Sequence, residues 1–289
     1  MTTTIQQQGQ PPFSLSQQNP HPRDIHIHFE EGSHTYTIQG VDGITPETVF
    51  TSVTTLVHQQ FEQFDAKKMI AAMMRNQKKW NDPVANAKYY GKTAKEIEQS
   101  WATAGQEAAT AGTQMHYKIE CFYNNIRSPL DDAATPEFAY FLKFNEEHVA
   151  CEGAILRPYR TEWTVFHEEA RIAGSIDMVY ELTEHPDTLV IYDWKRCREI
   201  TKTNRAGKFA THPAIEHIPD ANYWHYALQL NIYKYILQTK YGKTVTDLYL
   251  IVLHPDAQNY QQIKLPDLQT EVAELFEERI KKLNTPRSM

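Results

Sequence analysis

Two short apolar runs of period two, Gly174–Leu182 and Leu189–Trp194, flank Glu184-His185-Pro186-Asp187, a strong turn signal. That pattern commits the chain to a β-hairpin at this point. The hairpin carries charge where a buried strand pair normally does not. It brings Asp177 and Asp193 to neighbouring positions on adjacent strands, and Asp193 shares a face with Lys195 because side chains alternate along a strand. Two carboxylates and a lysine on one sheet face suit metal-dependent phosphodiester hydrolysis. The carboxylates hold the ion, and the lysine orients or deprotonates the attacking water.

The rest of the chain supplies a core large enough to carry such a site. Its 289 residues are 41% hydrophobic and 22% charged, ordinary values for a soluble globular protein. No apolar run approaches the roughly 20 residues needed to span a bilayer, so no membrane partner is expected. The N-terminal Met1-Thr-Thr-Thr-Ile-Gln-Gln-Gln lacks the marks of a signal or transit peptide. The expected location is therefore intracellular: cytoplasm, nucleoid or nucleus. Cys121, Cys151 and Cys197 lie far apart. They fit a reducing compartment and cannot form a four-thiolate zinc or iron–sulfur site, so no iron–sulfur cluster is expected.

The net charge of −7 argues against a uniformly basic nucleic-acid surface, but a local groove decides binding. Six basic residues (Lys195, Arg196, Arg198, Lys202, Arg205 and Lys208) follow the second strand, opposed only by Glu199. A second basic set runs from Lys67 to Lys95.

Residues 1–23, rich in Gln, Pro and Ser, read as a disordered tail. Residues 24–289 read as one domain, with a hairpin and helical part over 24–110 and the core and closing helix over 111–289. A hairpin is expected around Glu31-Gly32-Ser33. Ser52 or Thr51 caps a short helix through Gln60, and Asp65 caps another to about Trp80. The capping box Thr93-Ala-Lys-Glu96 opens a long helical stretch through Asn124, with Gly112 as a potential break. Thr135-Pro136 starts a helix ending near Ala150. Strands follow at 162–166, 174–182 and 189–194. Then come a basic loop, a helix over 222–240 stopped at Gly242, a buried strand over 246–253, a short strand over 260–265 and a closing helix over 267–283. This order describes an α/β domain around a mixed sheet with a helical N-terminal elaboration.

Three further features accompany the charged hairpin. Gly112-Thr113-Gln114-Met115-His116 lies upstream, with Glu120 one turn after His116 on the same helix face. Glu162 opens the first of the three strands, where pairing with Arg171 is an alternative to a functional role. Gln229 and Tyr233 are spaced i,i+4 on the helix after the basic loop. Together these resemble the PD-(D/E)XK nuclease superfamily, in particular its RecB-like and lambda-exonuclease-like branch. That branch has a Gly-Thr-x-x-His helix, an Asp, an Asp/Glu-x-Lys strand and a Gln-x-x-x-Tyr helix. All four elements occur here in that order, between Gly112 and Tyr233.

The resemblance implies a restriction-endonuclease-like αβββαβ core. It implies Mg²⁺ or Mn²⁺ held by His116, Asp177, Asp193 and the Trp194 backbone carbonyl. Glu120 and Glu162 become candidates for a second metal or for orienting the ligands. Lys195 would position water and stabilise charge at the phosphate. Gln229 would hold the strand backbone or the lysine, and Tyr233 would pack against nucleic acid or the core. Thr113, Arg196, Arg198, Lys202, Arg205 and Lys208 are the candidate nucleic-acid contacts. The expected activity is metal-dependent hydrolysis of DNA, as an exonuclease on ends or single strands in repair, recombination or genome processing. The alternatives are a structure-selective endonuclease and a catalytically silent nucleic-acid-binding protein. The oligomeric state stays open.

Overall fold

The computed structural model describes residues 14–128, 130 and 135–285. In chain order the elements are α1 (Leu15–Gln18), β1 (Ile27–Glu30), β2 (Thr35–Ile38), β3 (Thr51–Ser52), α2 (Val53–His58), α3 (Ala66–Arg75), α4 (Gln77–Trp80), α5 (Ala94–Tyr123) and α6 (Pro136–His148). They continue with β4 (Leu156–His167), β5 (Ile172–Leu182), β6 (His185–Lys195), α7 (Asn222–Lys240), β7 (Thr244–Val252), β8 (Gln261–Lys264) and α8 (Gln269–Asn284). Strands β4, β5 and β6 form an antiparallel meander. β7 lies parallel to β6, with α7 as the crossover, and β8 closes the far edge antiparallel to β7. The result is the mixed sheet expected from the alternation of strands and helices.

The sheet contains a split that positions the site. β4 covers one edge of β5 along its length. The other edge is shared. β6 pairs with it only from Met178 to Leu182, and β3 pairs with it in parallel at Ile172 and Ala173. Among the described residues, nothing pairs with that edge at Gly174–Asp177. β6 meanwhile stays paired to β7 through Lys195. The two strands of the charged hairpin therefore part just where Asp177 and Asp193 sit.

Helices cover both faces. One apolar layer joins α2, α7 and α8 to the sheet through Val53, Leu56, Ile191, Leu230, Ile236 and Phe276. The opposite layer joins α5 and α6 through Met115, Ile119, Phe141, Phe144, Tyr180 and Trp194. Trp194 is gripped edge-on by Phe141 and Phe144, with ring centroids 5.5 and 5.7 Å away. Burying a side chain of this size is worth roughly 2–3 kcal/mol. The grip fixes β6 so that Asp193 and Lys195, on either side of Trp194, face the α7 layer.

Several expectations are corrected. Residues 14–23 are ordered: a capping box starts α1, Leu15 is buried, and its N–H donates to Asn124 Oδ1 at 2.8 Å. Arg23 pairs with Glu168 at 2.6 Å. Residues 1–13 of the expected tail lie outside the described residues. The helix from Asp65 stops at Arg75 because Asn76 leaves helical geometry (φ −79°, ψ 73°). Gly112 does not break α5, whose i→i−4 ladder tolerates a single glycine at modest cost. β4 begins at Leu156, six residues before the expected strand start. Its polar first half, Arg157 to Thr161, hides it from an alternation test. The turn before β6 is shorter than the Pro-Asp signal suggests, since both residues lie inside β6.

Candidate active site

At the split, Asp177 turns its carboxylate across the gap. Its Oδ2 accepts the Trp194 N–H at 3.0 Å, a bond that replaces the missing ladder between β5 and β6. Ile176 packs in the α7-side layer and Met178, two residues on, in the α5-side layer, so strand alternation flips at Asp177. Glu162 falls opposite Asp177 in the β4/β5 register, and its φ of 43° is left-handed. A non-glycine residue held there inside a strand stores on the order of 1–3 kcal/mol of strain, typical of functional sites. The kink swings Glu162 toward Asp177. Ser175 Oγ steadies it by donating to Glu162 Oε2 at 2.9 Å, while Arg171, the alternative partner, sits in the β4/β5 turn.

α5 delivers the third group. Met115 and Ile119 anchor its last turns in the core, which directs His116 to the split. His116 Nε2 lies 2.9 Å from the Trp194 carbonyl. A carbonyl only accepts, so in the neutral ring Nε2 carries the hydrogen and Nδ1 presents its lone pair. Nδ1 faces Asp177 Oδ2 at 3.4 Å and Glu162 Oε1 at 4.0 Å. One ligand atom from each of His116, Glu162 and Asp177 lies within 4.8 Å of the others. Burial and the neighbouring Asp177 carboxylate push the Glu162 pKa up to about 8. Crowded carboxylates with that penalty are relieved by a cation. The set of two carboxylates, an imidazole nitrogen and an adjacent carbonyl suits a hard divalent ion.

Asp193 stands beside this cluster, on the α7 side. It is 2% exposed; its Oδ2 contacts Lys195 Nζ at 2.6 Å, and Gln229 Nε2 donates to its Oδ1 at 3.4 Å. Burial and Asp177 push Asp193 up to about 7. Burial opposes the charge on Lys195, but Asp193 and Asp177 more than offset it and raise its pKa above the ordinary lysine value. The Lys195 ammonium also lies 4.8 Å from the centre of the Tyr226 ring. Gln229 thus holds the acid rather than the lysine or the strand backbone. Tyr233 is buried in the core against Gly174 and Val53.

Glu120 points into the same region but outside the three-residue cluster. Burial and Glu31, from the β1/β2 turn, raise its pKa. Thr113 is exposed on α5, its hydroxyl donating to the Ala109 carbonyl at 3.1 Å. In the basic loop, Arg196 is bound to Glu137 of α6 at 2.6 Å, Arg198 to Asp256 at 3.3 Å and Lys208 to Glu62 at 2.7 Å. Lys202 lies 4.5 Å above the Tyr223 ring. Arg205 lines a groove with Phe64 and His225 and has no ion pair among the described residues. Much of the loop's charge therefore tethers the loop itself.

Sequence reasoning missed two residues. Tyr36 of β2 reaches the site: burial and Glu162 push its hydroxyl up to about 12, against a hydrogen bond with the Ser175 backbone. Tyr226, under Lys195, stood in the sequence only as one of several aromatics on α7. A pattern of alternating apolar residues marks neither.

The gap of the split mixed sheet thus holds an acid–imidazole cluster, with a lysine paired to a neighbouring acid beside it. The model of the PD-(D/E)XK nuclease superfamily matches residues 33–288, and the chain belongs to that superfamily. No curated protein matches the chain. A solved structure titled "Crystal structure of SSO0001" is 16% identical, covering 86% of this chain and 82% of that one with a TM-score of 0.29. A superposition that loose says nothing about the site. Among the described residues, no helix is long and apolar enough to cross a membrane.

Proposed function

We propose that the protein is a Mg²⁺- or Mn²⁺-dependent deoxyribonuclease of the RecB-like branch, acting as an exonuclease on DNA ends or single strands. The observation that carries this reading is the convergence of His116, Glu162 and Asp177 at the split, with Lys195 held beside them by Asp193. His116 Nδ1, Asp177 and Glu162 would hold the cation, with Asp193 and the second lone pair of the Trp194 carbonyl as further donors. A divalent ion there neutralises the phosphodiester and lowers the pKa of an attacking water.

The chain's own groups do the rest. His116 is oriented by the Trp194 carbonyl, which leaves Nδ1 for ligation. Asp193 and Asp177 as counter-ions raise the Lys195 pKa above the ordinary lysine value. This favours a role as hydrogen-bond donor and positive charge toward the phosphate and water. Gln229 keeps Asp193 facing Lys195.

End-labelled linear DNA set against closed circular DNA, with Mg²⁺ or Mn²⁺, tests the reading. The expected result is stepwise release of labelled mononucleotides from linear DNA, intact circles, and no cleavage with EDTA. Asp193→Ala and Lys195→Ala should abolish cleavage without unfolding the protein. Cutting of circles would replace the exonuclease by an endonuclease. Full activity of Lys195→Ala would refute the site.

A further inference from the structure

Among the described residues, Lys202 and Arg205 are the cations of the loop after Lys195 without an ion pair, and a larger set lies upstream of the core. Residues 66–95 carry eight Lys and Arg against a single acid, Asp82, in a chain of net charge −7. Asp82 is already committed to the N–H groups of Val84 and Ala85, at 2.8 and 3.0 Å. Of the eight cations, only Lys68 has an ion pair among the described residues, with Glu62 at 3.3 Å. In the basic loop, by contrast, three of the arginines and lysines are matched by carboxylates.

Within this surface, α3, α4 and the following turns line a half-open cavity of about 470 Å³. Trp80, Tyr89 and Met73 give it apolar walls, and Lys79, Lys88 and Asn76 its polar rim. Both aromatic rings are partly exposed. Tyr89 is held in place from α5, whose Trp101 Nε1 donates to its hydroxyl at 3.0 Å. Trp101 and His116 are fifteen residues apart on one continuous helix, about 22 Å at 1.5 Å per residue. From residue 98 to residue 114 no residue of α5 is buried, so this helix spans the distance as an open arm.

The Lys88 ammonium lies 5.3 Å from the centre of the Tyr89 ring. Partly exposed aromatics ringed by lysines without carboxylate partners are what hold single-stranded nucleic acid, because a free base stacks and its phosphates meet the cations. A base pair inside a duplex cannot enter such a cavity. We propose that the Trp80–Tyr89 cavity binds one base of a single-stranded nucleic acid, with Lys79 and Lys88 on the adjacent phosphates. Through the Tyr89–Trp101 hydrogen bond the site connects to α5 about 22 Å along the helix from His116 of the candidate ligand cluster. The proposal takes its ligand class from the nuclease reading but does not depend on the catalytic assignment.

Binding of a fluorescein-labelled 20-mer of deoxythymidylate, followed by anisotropy in EDTA, tests it. Trp80→Ala should weaken binding about tenfold, the loss of one base–aromatic stack, while Trp80→Phe stays near wild type. Lys79→Gln with Lys88→Gln should lower the slope of log K against log salt by about 1.4, for two phosphates. With Mg²⁺ present, Trp80→Ala should cleave the 20-mer more slowly and thymidine 5′-(4-nitrophenyl phosphate) as fast as wild type. Equal binding of the 20-mer by wild type and Trp80→Ala overturns the proposal, as does an equal loss in Trp80→Ala and Trp80→Phe. A wild-type protein that binds the 20-mer through Trp80 but cleaves nothing refutes the nuclease reading and leaves this site standing. Cleavage without any effect of Trp80 does the reverse.

Discussion

Gly174→Ala is the sharpest probe of how α7 is seated over the split. A Cβ at Gly174 would lie 2.8 Å from Tyr233 Cε1, 2.9 Å from the Tyr233 hydroxyl and 2.9 Å from Val53 Cγ2. Ordinary carbon contacts are near 3.5–4.0 Å, so each neighbour must retreat by more than half an ångström. Neither has room: Tyr233 is 3% exposed and Val53 fully buried. Overpacking of this kind costs about 1–3 kcal/mol. For a chain of 289 residues the unfolding entropy is about 0.6 kcal/mol per degree, so the melting temperature should fall by about 2–5 °C. Cleavage should fall further than stability. A retreat of Tyr233 carries α7 away from β6, and Gln229 already reaches Asp193 at only 3.4 Å. In a Tyr233→Leu background, which removes two of the three contacts, the cost should drop to about half. Gly105→Ala is the control: nothing lies within 4 Å of its Cβ, and alanine in a helix interior should stabilise by about 0.5–1 kcal/mol. Calorimetry of the variants decides. A Gly174→Ala protein that melts at or above wild type would refute the close-approach argument.

Mn²⁺ or Mg²⁺ at one hundred times its dissociation constant should stabilise the fold by about 2.7 kcal/mol, a rise of about 4 °C in melting temperature. His116→Ala should lose that rise, and an unchanged rise would remove His116 from the site. His167 is buried, and burial together with Lys240 lowers its pKa to about 4; its Nδ1 accepts the Ala170 N–H at 3.3 Å. Above pH 6.5 both folded and unfolded states are neutral. As pH falls from 6.5 to 4 only the unfolded chain takes the proton, so stability is lost by on the order of 2–3 kcal/mol. Urea unfolding at pH 7.0, 5.5 and 4.5 should show this loss, reduced in His167→Asn. Asp24 accepts from Arg160 Nη1 at 2.7 Å and from Trp163 Nε1 at 3.0 Å, and Arg160 is 5% exposed. Asp24→Ala should therefore cost about 2–3 kcal/mol and expose residues 14–24 to limited proteolysis. Proteolysis at the wild-type rate would show that this segment adds nothing to the fold.

Much of the architecture was legible because its signals are local. Ser52, Asp65, Thr93 and Thr135 each accept the N–H three residues on and start their helices as their side-chain chemistry requires. Asp177, Asp193 and Lys195 stood out because charge inside two apolar runs is costly without a purpose. β4 was half hidden, because Arg157, Arg160 and Thr161 are placed by partners distant in sequence. Arg157 pairs with Glu181 and Arg160 with Asp24. The ordered segment from Ser14 to Arg23 was missed for the same reason. Its composition is that of a tail, while Leu15, Asn19 and Arg23 are held by Asn124, Tyr159 and Glu168.

The sequence by itself determined the element types, the charged hairpin and the residue types that chemistry at a phosphate would need. Only the tertiary structure decided how those residues divide. The split of β5 from β6 and the left-handed turn of Glu162 bring Glu162 to His116 and Asp177, while Asp193 stands beside them in contact with Lys195 and Gln229. It also decided that Arg196, Arg198 and Lys208 of the basic loop are paired with Glu137, Asp256 and Glu62, while Lys79 and Lys88 around Trp80 have no carboxylate partner among the described residues. Local preference sets backbone conformation one residue at a time. Ligand sets and charge balance depend on distances between groups far apart in the chain, and those exist only once the sheet and its helices have packed.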